Sequence, residues 1–168
     1  VCGEVRVMSW DIETRNKVYA RLVGDSTLSG LVADMPGTTV AAISTEWPAE
    51  GTPMPYVVLN YDTAGTEDAF TAKGIYITLD VHVFHEKKAV GDTQSTCSLI
   101  LNRIVGDWLT NGGTPSYGLD RFAPELSAVG WTASQFLQSG PRVDEHEAGV
   151  WHFVDTYEGF ISKQVTGP

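Results

Sequence analysis

The feature of this sequence that most constrains its fold is an unbroken alternation that runs from Gly74 to Phe84. Every second side chain is aliphatic and polar or aromatic side chains fill the positions between, which is the period of a β-strand with one buried face. A second extended run, residues 56–61, begins directly after Pro53 and Pro55. The two runs predict a half-buried sheet that contains no obvious reactive group. The aliphatic set is Ile75, Ile77, Leu79, Val81 and Val83, and the opposite set is Tyr76, Thr78, Asp80 and His82.

Three helices are predicted around these strands by apolar residues at helical spacing. The first covers residues 11–23 and ends at Gly24, and the second is short and is capped by Asp25. The third opens at residues 91–93 and runs to Leu109, where residues 111–113 stop it with a Gly pair. The order of predicted elements is therefore helix, helix, strands, helix, strands. The apolar stripe of the third helix is Cys97, Ile100, Leu101, Ile104, Val105, Trp108 and Leu109.

Three further strands complete the prediction, at residues 39–47, 126–137 and 149–162. Residues 63–71 and 142–148 are polar and flanked by strands, so we expect a mobile hairpin loop and an acidic turn there. The last strand carries bulky side chains toward both faces, which indicates burial on both sides. The predicted fold class is α+β: one largely antiparallel sheet of about four to five strands packed against two or three helices. We expect a single domain over residues 1–168.

Composition narrows the functional class. Of the 168 residues, 42% are hydrophobic and 19% are charged, as in a folded domain, and no run approaches the ~20 apolar residues that span a bilayer. The net charge of −10, from 11 basic and 21 acidic residues, disfavours a phosphate-binding surface. No secretory apolar region precedes Trp10, so we expect a cytosolic origin. We expect residues 1–8 to be a disordered or mis-annotated extension, with a natural start at Met8.

Histidines and carboxylates offer few candidate sites. His82 and His85 are three residues apart on a predicted strand and therefore face opposite ways, so they cannot share a metal ion. His146 lies in an acidic stretch, where an opportunistic metal patch competes with the better interpretation of a solvated turn. The acidic residues of that stretch are Asp144, Glu145 and Glu147.

The sequence also lacks the usual signatures of catalysis. No nucleophile elbow, phosphate-binding loop or convergent carboxylate pair is evident. We therefore predict no enzyme, and no catalytic, cofactor-binding or metal-binding residue. Cys97 is expected to be a buried free thiol, although a disulfide with Cys2 stays open. Aromatic residues are assigned to the core or to a protein interface, because base-stacking platforms come with basic grooves. They are Trp108, Trp131, Trp151, Phe153 and Phe160.

Taken together, these segments resemble one known family. The first helix carries Asn16-Lys17-Val18-Tyr19-Ala20-Arg21-Leu22, and a small helix and a strand separate it from Pro53-Met54-Pro55-Tyr56-Val57-Val58-Leu59. The alternating strand ends in Val81-His82-Val83-Phe84 and leads into the helix at residues 93–109. Over residues 15–160 this order is similar to the tail terminator and tail-completion (head–tail joining) proteins of long-tailed bacteriophages and phage-like gene transfer agents.

The resemblance implies a subunit of a hexameric ring that caps the head-proximal end of a tail tube, ends tube polymerisation and joins the head connector. The implied partners are further copies of the chain, the major tail tube protein and the head–tail connector or stopper protein. DNA would pass through the lumen without specific binding, and acidic subunits would repel its phosphates. The implied location is the tail or neck of a virion that is assembled in the host bacterial cytoplasm, with no membrane involved.

Other functions stay open on the sequence alone. A neck adaptor or a minor tail protein would share this signature. From a different class, a small monomeric binding or immunity module also fits, and an enzyme with an unrecognised acidic site is the least favoured. The chain is long for the family, and the extra length lies at residues 112–124 and at the termini.

Overall fold

The fold is that of a computed structural model. It describes residues 10–69, 72–88, 92–106, 116–127 and 130–164. For residues 63–69, 72, 145–147 and 164 it describes the backbone alone. The helices that the described residues form include none with the length and hydropathy of a membrane span. In chain order the elements are α1 (Trp10–Val23), α2 (Ser26–Ser29), β1 (Ile43–Ser44), β2 (Tyr56–Ala69), β3 (Ala72–Glu86), α3 (Thr93–Val105), β4 (Trp131–Ala133), β5 (Leu137–Glu147) and β6 (Val150–Gln164).

The first two predicted helices are present, and Gly24 and Asp25 separate them. α1 begins one residue before the predicted start and is followed by Gly24. The Asp25 carboxylate accepts hydrogen bonds from the N–H groups of Thr27 and Leu28 and so caps α2, which is four residues long. Arg103 of α3 donates two hydrogen bonds to the same carboxylate, at 2.6 and 2.9 Å. One side chain therefore fixes the start of α2 and its position against α3.

The third helix is shorter than predicted. α3 ends at Val105 instead of Leu109, because Gly106 adopts a φ of 105°, which leaves the helical region. Trp108 and the predicted stop at residues 111–113 lie outside the described residues. The buried stripe agrees with the prediction as far as Ile104.

A six-stranded mixed sheet forms the centre of the molecule and confirms the α+β class. Its strand order is β1-β2-β3-β6-β4, and β5 also pairs with β6. All neighbours are antiparallel except β1, which pairs in parallel with β2 over two residues. β3 and β6 are each 15 residues long and pair from Ala72↔Gln164 to Glu86↔Val150.

The predicted alternation of β3 divides the sheet into two faces. Its odd-numbered aliphatic residues from Ile77 to Val83 are buried and share one core with α1, α2 and α3; we call this the helix side. The even-numbered residues point the opposite way. We call that surface the open face: it consists of the even-numbered residues of β3 and β6, those of β2 from Tyr56 to Asp62, and Leu137, Ser139 and Val143 of β5.

Two segments that were predicted as a loop and a turn are strands. β2 continues through Ala69 and pairs with β3, so the mobile loop predicted at residues 63–71 is wrong for residues 63–69. The acidic turn predicted at residues 142–148 is wrong for residues 142–147, which pair with β6 as part of β5. In both cases a neighbouring strand supplies partners for the backbone, and that pairing outweighs the turn preference of polar side chains.

Two predicted strands are much shorter than expected. Residues 39–47 contain only β1, and residues 126–137 contain β4 and only the first residue of β5. Between β4 and β5 the chain is diverted because Phe136 is buried in the core and its N–H donates to the Phe122 carbonyl. Burial of this ring therefore interrupts the outer edge of the sheet.

At the C-terminal end of α3, the backbone of the helix contacts the backbone of residues 118–120. The N–H groups of Leu119 and Asp120 donate to the Ile104 and Val105 carbonyls, at 2.7 and 3.0 Å, and satisfy the last turn of the helix. This brings Gly118, with a φ of 81°, against Gly106. The Asp120 carboxylate then accepts the N–H of Gln138 at 2.8 Å and fixes the start of β5.

We predict that Gly118→Ala destabilises the fold by about 3 kcal/mol or more, because the new Cβ would lie 2.6 Å from Gly106 N and 2.7 Å from Val105 O at a left-handed φ. Gly37→Ala is the matched control, since Gly37 has a φ of 73° with open space around it, and it should cost only about 1 kcal/mol. Urea unfolding measures both. Equal losses for the two variants would contradict the close approach.

A buried ion pair joins β5, β6 and α3. Asp155 is 1% exposed on the helix side of β6, and Arg142 donates to both of its carboxylate oxygens at 2.9 Å. The same guanidinium reaches Asn102 of α3 at 3.2 Å. Arg142 lies in the bulge of β5 between Ser139 and Val143, and the extra residues let its side chain turn to the helix side.

We predict that Arg142→Met lowers the unfolding free energy by about 3 to 5 kcal/mol, because it leaves the Asp155 carboxylate buried without a cation. Arg142→Met with Asp155→Leu should regain most of that loss, since the buried charge is then absent. Arg15→Met, which breaks the exposed pair with Asp11, should cost less than about 1 kcal/mol. Denaturant unfolding of the four proteins checks the order, and a double variant as unstable as Arg142→Met would refute the explanation.

Candidate assembly surface

The open face exposes an unusual share of the large apolar side chains. Seven such residues are strongly exposed in the described chain, and four of them lie on or beside this face. They are Trp47 (60% exposed), Tyr76 (41%), Leu137 (49%) and Val143 (50%). Helices cover the other face, so this surface is where the fold leaves apolar area in contact with water.

Aromatic and histidine rings cluster at the end of the open face near the start of β2. Phe84 is buried and stacks on His152 with ring centroids 4.0 Å apart and on Tyr56 at 4.9 Å. Trp47, from the segment after β1, lies over His82 at 5.2 Å and over Phe84 at 5.9 Å. The exposed indole is thus held by rigid rings beneath it, a geometry typical of an anchor residue in a protein interface.

Two histidines within this cluster share a hydrogen bond. His82 Nδ1 and His152 Nε2 are 2.9 Å apart, so one ring donates and the other accepts. The predicted separation of His82 from His85 is confirmed, because His85 lies at an odd-numbered position and is buried. Burial lowers the pKa of His85, and the nearby Lys88 lowers it further. The sequence did not reveal the His82–His152 pair, because only the strand register brings these residues together.

The strand side chains of the open face carry charge of one sign. Asp62, Asp80, Glu86 and Glu158 place carboxylates on it, and Asp80 accepts a hydrogen bond from Thr156 at 2.6 Å. Just beyond β3, Lys88 lies 3.7 Å from Glu86. Among the described strand side chains that point to this face there is no Lys or Arg. The surface therefore combines exposed apolar groups with negative charge.

Among the described residues, the histidine and cysteine candidates do not converge on one site. Within the described part of the chain, no group of three or more His, Cys, Asp or Glu residues is placed to hold a metal ion. The side chains of Glu145, His146 and Glu147, which formed the predicted acidic patch, lie outside the description. Cys97 is the predicted buried free thiol, and burial raises its pKa to about 11, so little thiolate forms near neutral pH.

Of the aromatic residues that the sequence assigned to a core or an interface, some lie in or against the core and one lies on the open face. On the helix side Phe153 belongs to the core, with Trp131 and Trp151 packed against it. Phe160 lies on the open face and contacts Tyr76 with centroids 4.8 Å apart. Trp108 lies outside the described residues.

Comparison with solved structures gives a match, whereas comparison with family models and with curated proteins does not. No protein-family model matches the chain, and no curated protein matches it significantly. Among solved structures, the fold resembles that of a chain in the virion of a native gene transfer agent particle, with a TM-score of 0.63 at 15% sequence identity. The match covers 92% of this chain and 98% of that chain. At this identity the likeness shows a shared fold over nearly the full length of both.

Proposed function

We propose that this chain is a structural subunit of a phage-like virion and that it forms a ring, with six copies, at the head-proximal end of a tail tube. There it ends tube polymerisation and joins the tube to the head connector. The observation that carries the proposal is the open face: a wide, rigid sheet surface with exposed apolar anchors, in a fold shared with a chain of a gene transfer agent virion.

The open face is better suited to another protein than to water. The solvated face of an antiparallel sheet is usually polar along its whole length. This face, by contrast, exposes Trp47, Tyr76, Leu137 and Val143. Buried area of this kind drives protein association, and aromatic anchors contribute the largest share.

The terminator role draws its support from the sequence resemblance as well. The tail-completion family includes proteins of gene transfer agents, and the fold likeness is to a chain of such a particle. The acidic charge is compatible with a ring through which DNA passes without sticking, because carboxylates repel phosphate. The function that we propose is thus mechanical: the chain acts by shape and contact and requires no catalytic group.

We predict that particles made without this gene have tails of irregular length that fail to join heads, which electron microscopy would reveal. Complementation with Val143→Asp should fail, because a new carboxylate desolvated in an interface costs binding energy. Complementation with Val40→Asp should succeed, since Val40 is similarly exposed (47%, against 50% for Val143) but belongs to none of the strands that form the open face.

Location separates the neighbouring roles. Labelled protein at the head–tail junction, on the last ring of the tube, supports a terminator. A label on the connector alone indicates a neck adaptor, and a label along or at the far end of the tail indicates a minor tail protein. Joined tails of normal length in the absence of the gene would refute the proposed function.

A further inference from the structure

We propose that the pair formed by His82 and His152 makes the open face sensitive to pH: acid opens the pair and releases Trp47, the exposed anchor that lies over it. The use of this anchor in assembly rests on the proposed function, whereas the opening is a property of the single chain. Three features carry the inference. They are the geometry of the two histidine rings, their burial and the few contacts that hold Trp47 in place.

The hydrogen bond between the two histidines has room for a single hydrogen. His82 Nδ1 and His152 Nε2 are 2.9 Å apart, and the ring centroids are 5.2 Å apart. This centroid separation is close to the largest that a contact of this length allows, so both nitrogens lie near the line that joins the two rings. One nitrogen therefore donates its N–H, and the other accepts with its lone pair.

This arrangement limits the number of protons that the closed pair holds. A protonated imidazole carries a hydrogen on each of its two nitrogens. If His82 and His152 were both protonated, two N–H groups would meet head-on across 2.9 Å, and neither nitrogen would have a lone pair that accepts. At least one ring of the closed pair is therefore neutral. Both rings become protonated together only after the contact between them has opened.

Burial adds to the cost of charging both rings in place. His152 is 3% exposed, and the buried ring of Phe84 stacks on it at 4.0 Å. Val58 and Val154, which flank His82 in the strand register, are buried as well. Little water reaches this site, and two like charges at hydrogen-bond distance repel strongly in such surroundings. Movement of His82, which is only half-buried, relieves that repulsion.

Trp47 lies on the ring that moves. Its indole centroid is 5.2 Å from that of His82 and 5.9 Å from that of Phe84. Among the described contacts, hydrogen bonds tie residues 45–54 only to one another and to Ser44. Ring packing is therefore what holds the indole over the open face. Displacement of His82 removes one of its two ring contacts, and the anchor loses its fixed position.

Carboxylates on the elements around the pair do not remove this conflict. Their negative charge attracts protons to the two rings, but no group fits between two nitrogens that are 2.9 Å apart. Lys88 is the one basic group among the charged residues around the pair that the structure describes, and it lies 3.7 Å from Glu86. The titratable groups on these elements are Asp80 and Glu86 of β3, Tyr56 and Asp62 of β2, Glu158 of β6, Glu145 of β5 (opposite His152 in the strand register), Glu46 and Glu50 of residues 45–54, and Lys88 after β3.

The direction of the effect follows from the proton count. The opened pair holds one more proton than the closed pair, so acid favours the opened pair and a higher pH favours the closed one. A difference of one proton changes the ratio of opened to closed chains by up to about tenfold for each pH unit. Histidine side chains change their charge at about pH 5 to 8, so the switch lies in the range that a particle meets in water and in cells.

Magnetic resonance of the isolated ¹⁵N-labelled chain tests the opening. Between about pH 8 and about pH 5, the ring nitrogens should show protonation of both His82 and His152, and the indole signal of Trp47 should shift together with the second proton. Trp47→Phe identifies that indole signal among those of the five tryptophans. A Trp47 signal that stays constant across this range would overturn the inference.

His152→Gln is the matched variant. The Gln amide offers both an N–H and an oxygen to His82 Nδ1, so the contact survives whether or not His82 is protonated, and both ring contacts of Trp47 remain. The Trp47 signal of this variant should not change with pH. His85→Gln, on the opposite face, should respond to acid as the wild type does. An acid response of Trp47 in His152→Gln equal to that of the wild type would refute the pair as the switch.

Unfolding by urea at neutral pH shows whether the two variants are folded. The titration of the wild-type chain decides the inference by itself if either variant fails to fold.

Retention on tails supplies the second readout. Tails isolated at neutral pH and transferred to about pH 5 should release the wild-type protein severalfold faster than they release His152→Gln, measured by sedimentation and immunoblotting. Equal release of the two proteins would overturn the regulatory role of the pair. A constant Trp47 signal removes the switch and leaves the proposed function standing, whereas normal tails without the gene remove that function and leave the opening of the isolated chain as measured.

Discussion

The rest of the structure depends on the antiparallel pairing of β3 with β6. These two strands are the longest of the regular pairs, and β2 joins one side of them while β4 and β5 join the other. Their register decides which side chains meet the helices. A slip of one residue would turn Leu79 and Val81 to water and bring Asp80 inward, so burial of one face fixes the pairing strongly.

An acidic chain must also stabilise the carboxylates that it buries. Among the described residues, each buried carboxylate of the helix side has its own donor: Asp155 has Arg142, Asp25 has Arg103, and Glu13 and Asp120 each accept a backbone N–H. The fold thereby gives each of them a hydrogen-bond partner. The other carboxylates whose side chains are described are exposed or half-exposed, and on the open face they occur without basic neighbours on the strands.

Local signals in the sequence predicted the elements that carry strong periodicity. The alternation of β3, the stripe of α3 up to Ile104 and the cap at Asp25 were predictable because each depends on residues close in sequence. Residues 63–69 and 142–147 were mistaken because their strand state depends on a partner strand, which leaves no local trace. The His82–His152 contact and the Arg142–Asp155 pair escaped for the same reason: one depends on register and the other on a bulge.

The junction at the end of α3 has an evolutionary consequence. Gly106 and Gly118 touch, and Ile104 and Leu119 are bonded at 2.7 Å, so both ends of the intervening chain are anchored by the fold itself. The entropy of closing a segment between fixed ends grows only with the logarithm of its length. Insertions and deletions at this position therefore cost the domain little, and related chains can diverge in length here while the sheet and its two faces stay unchanged.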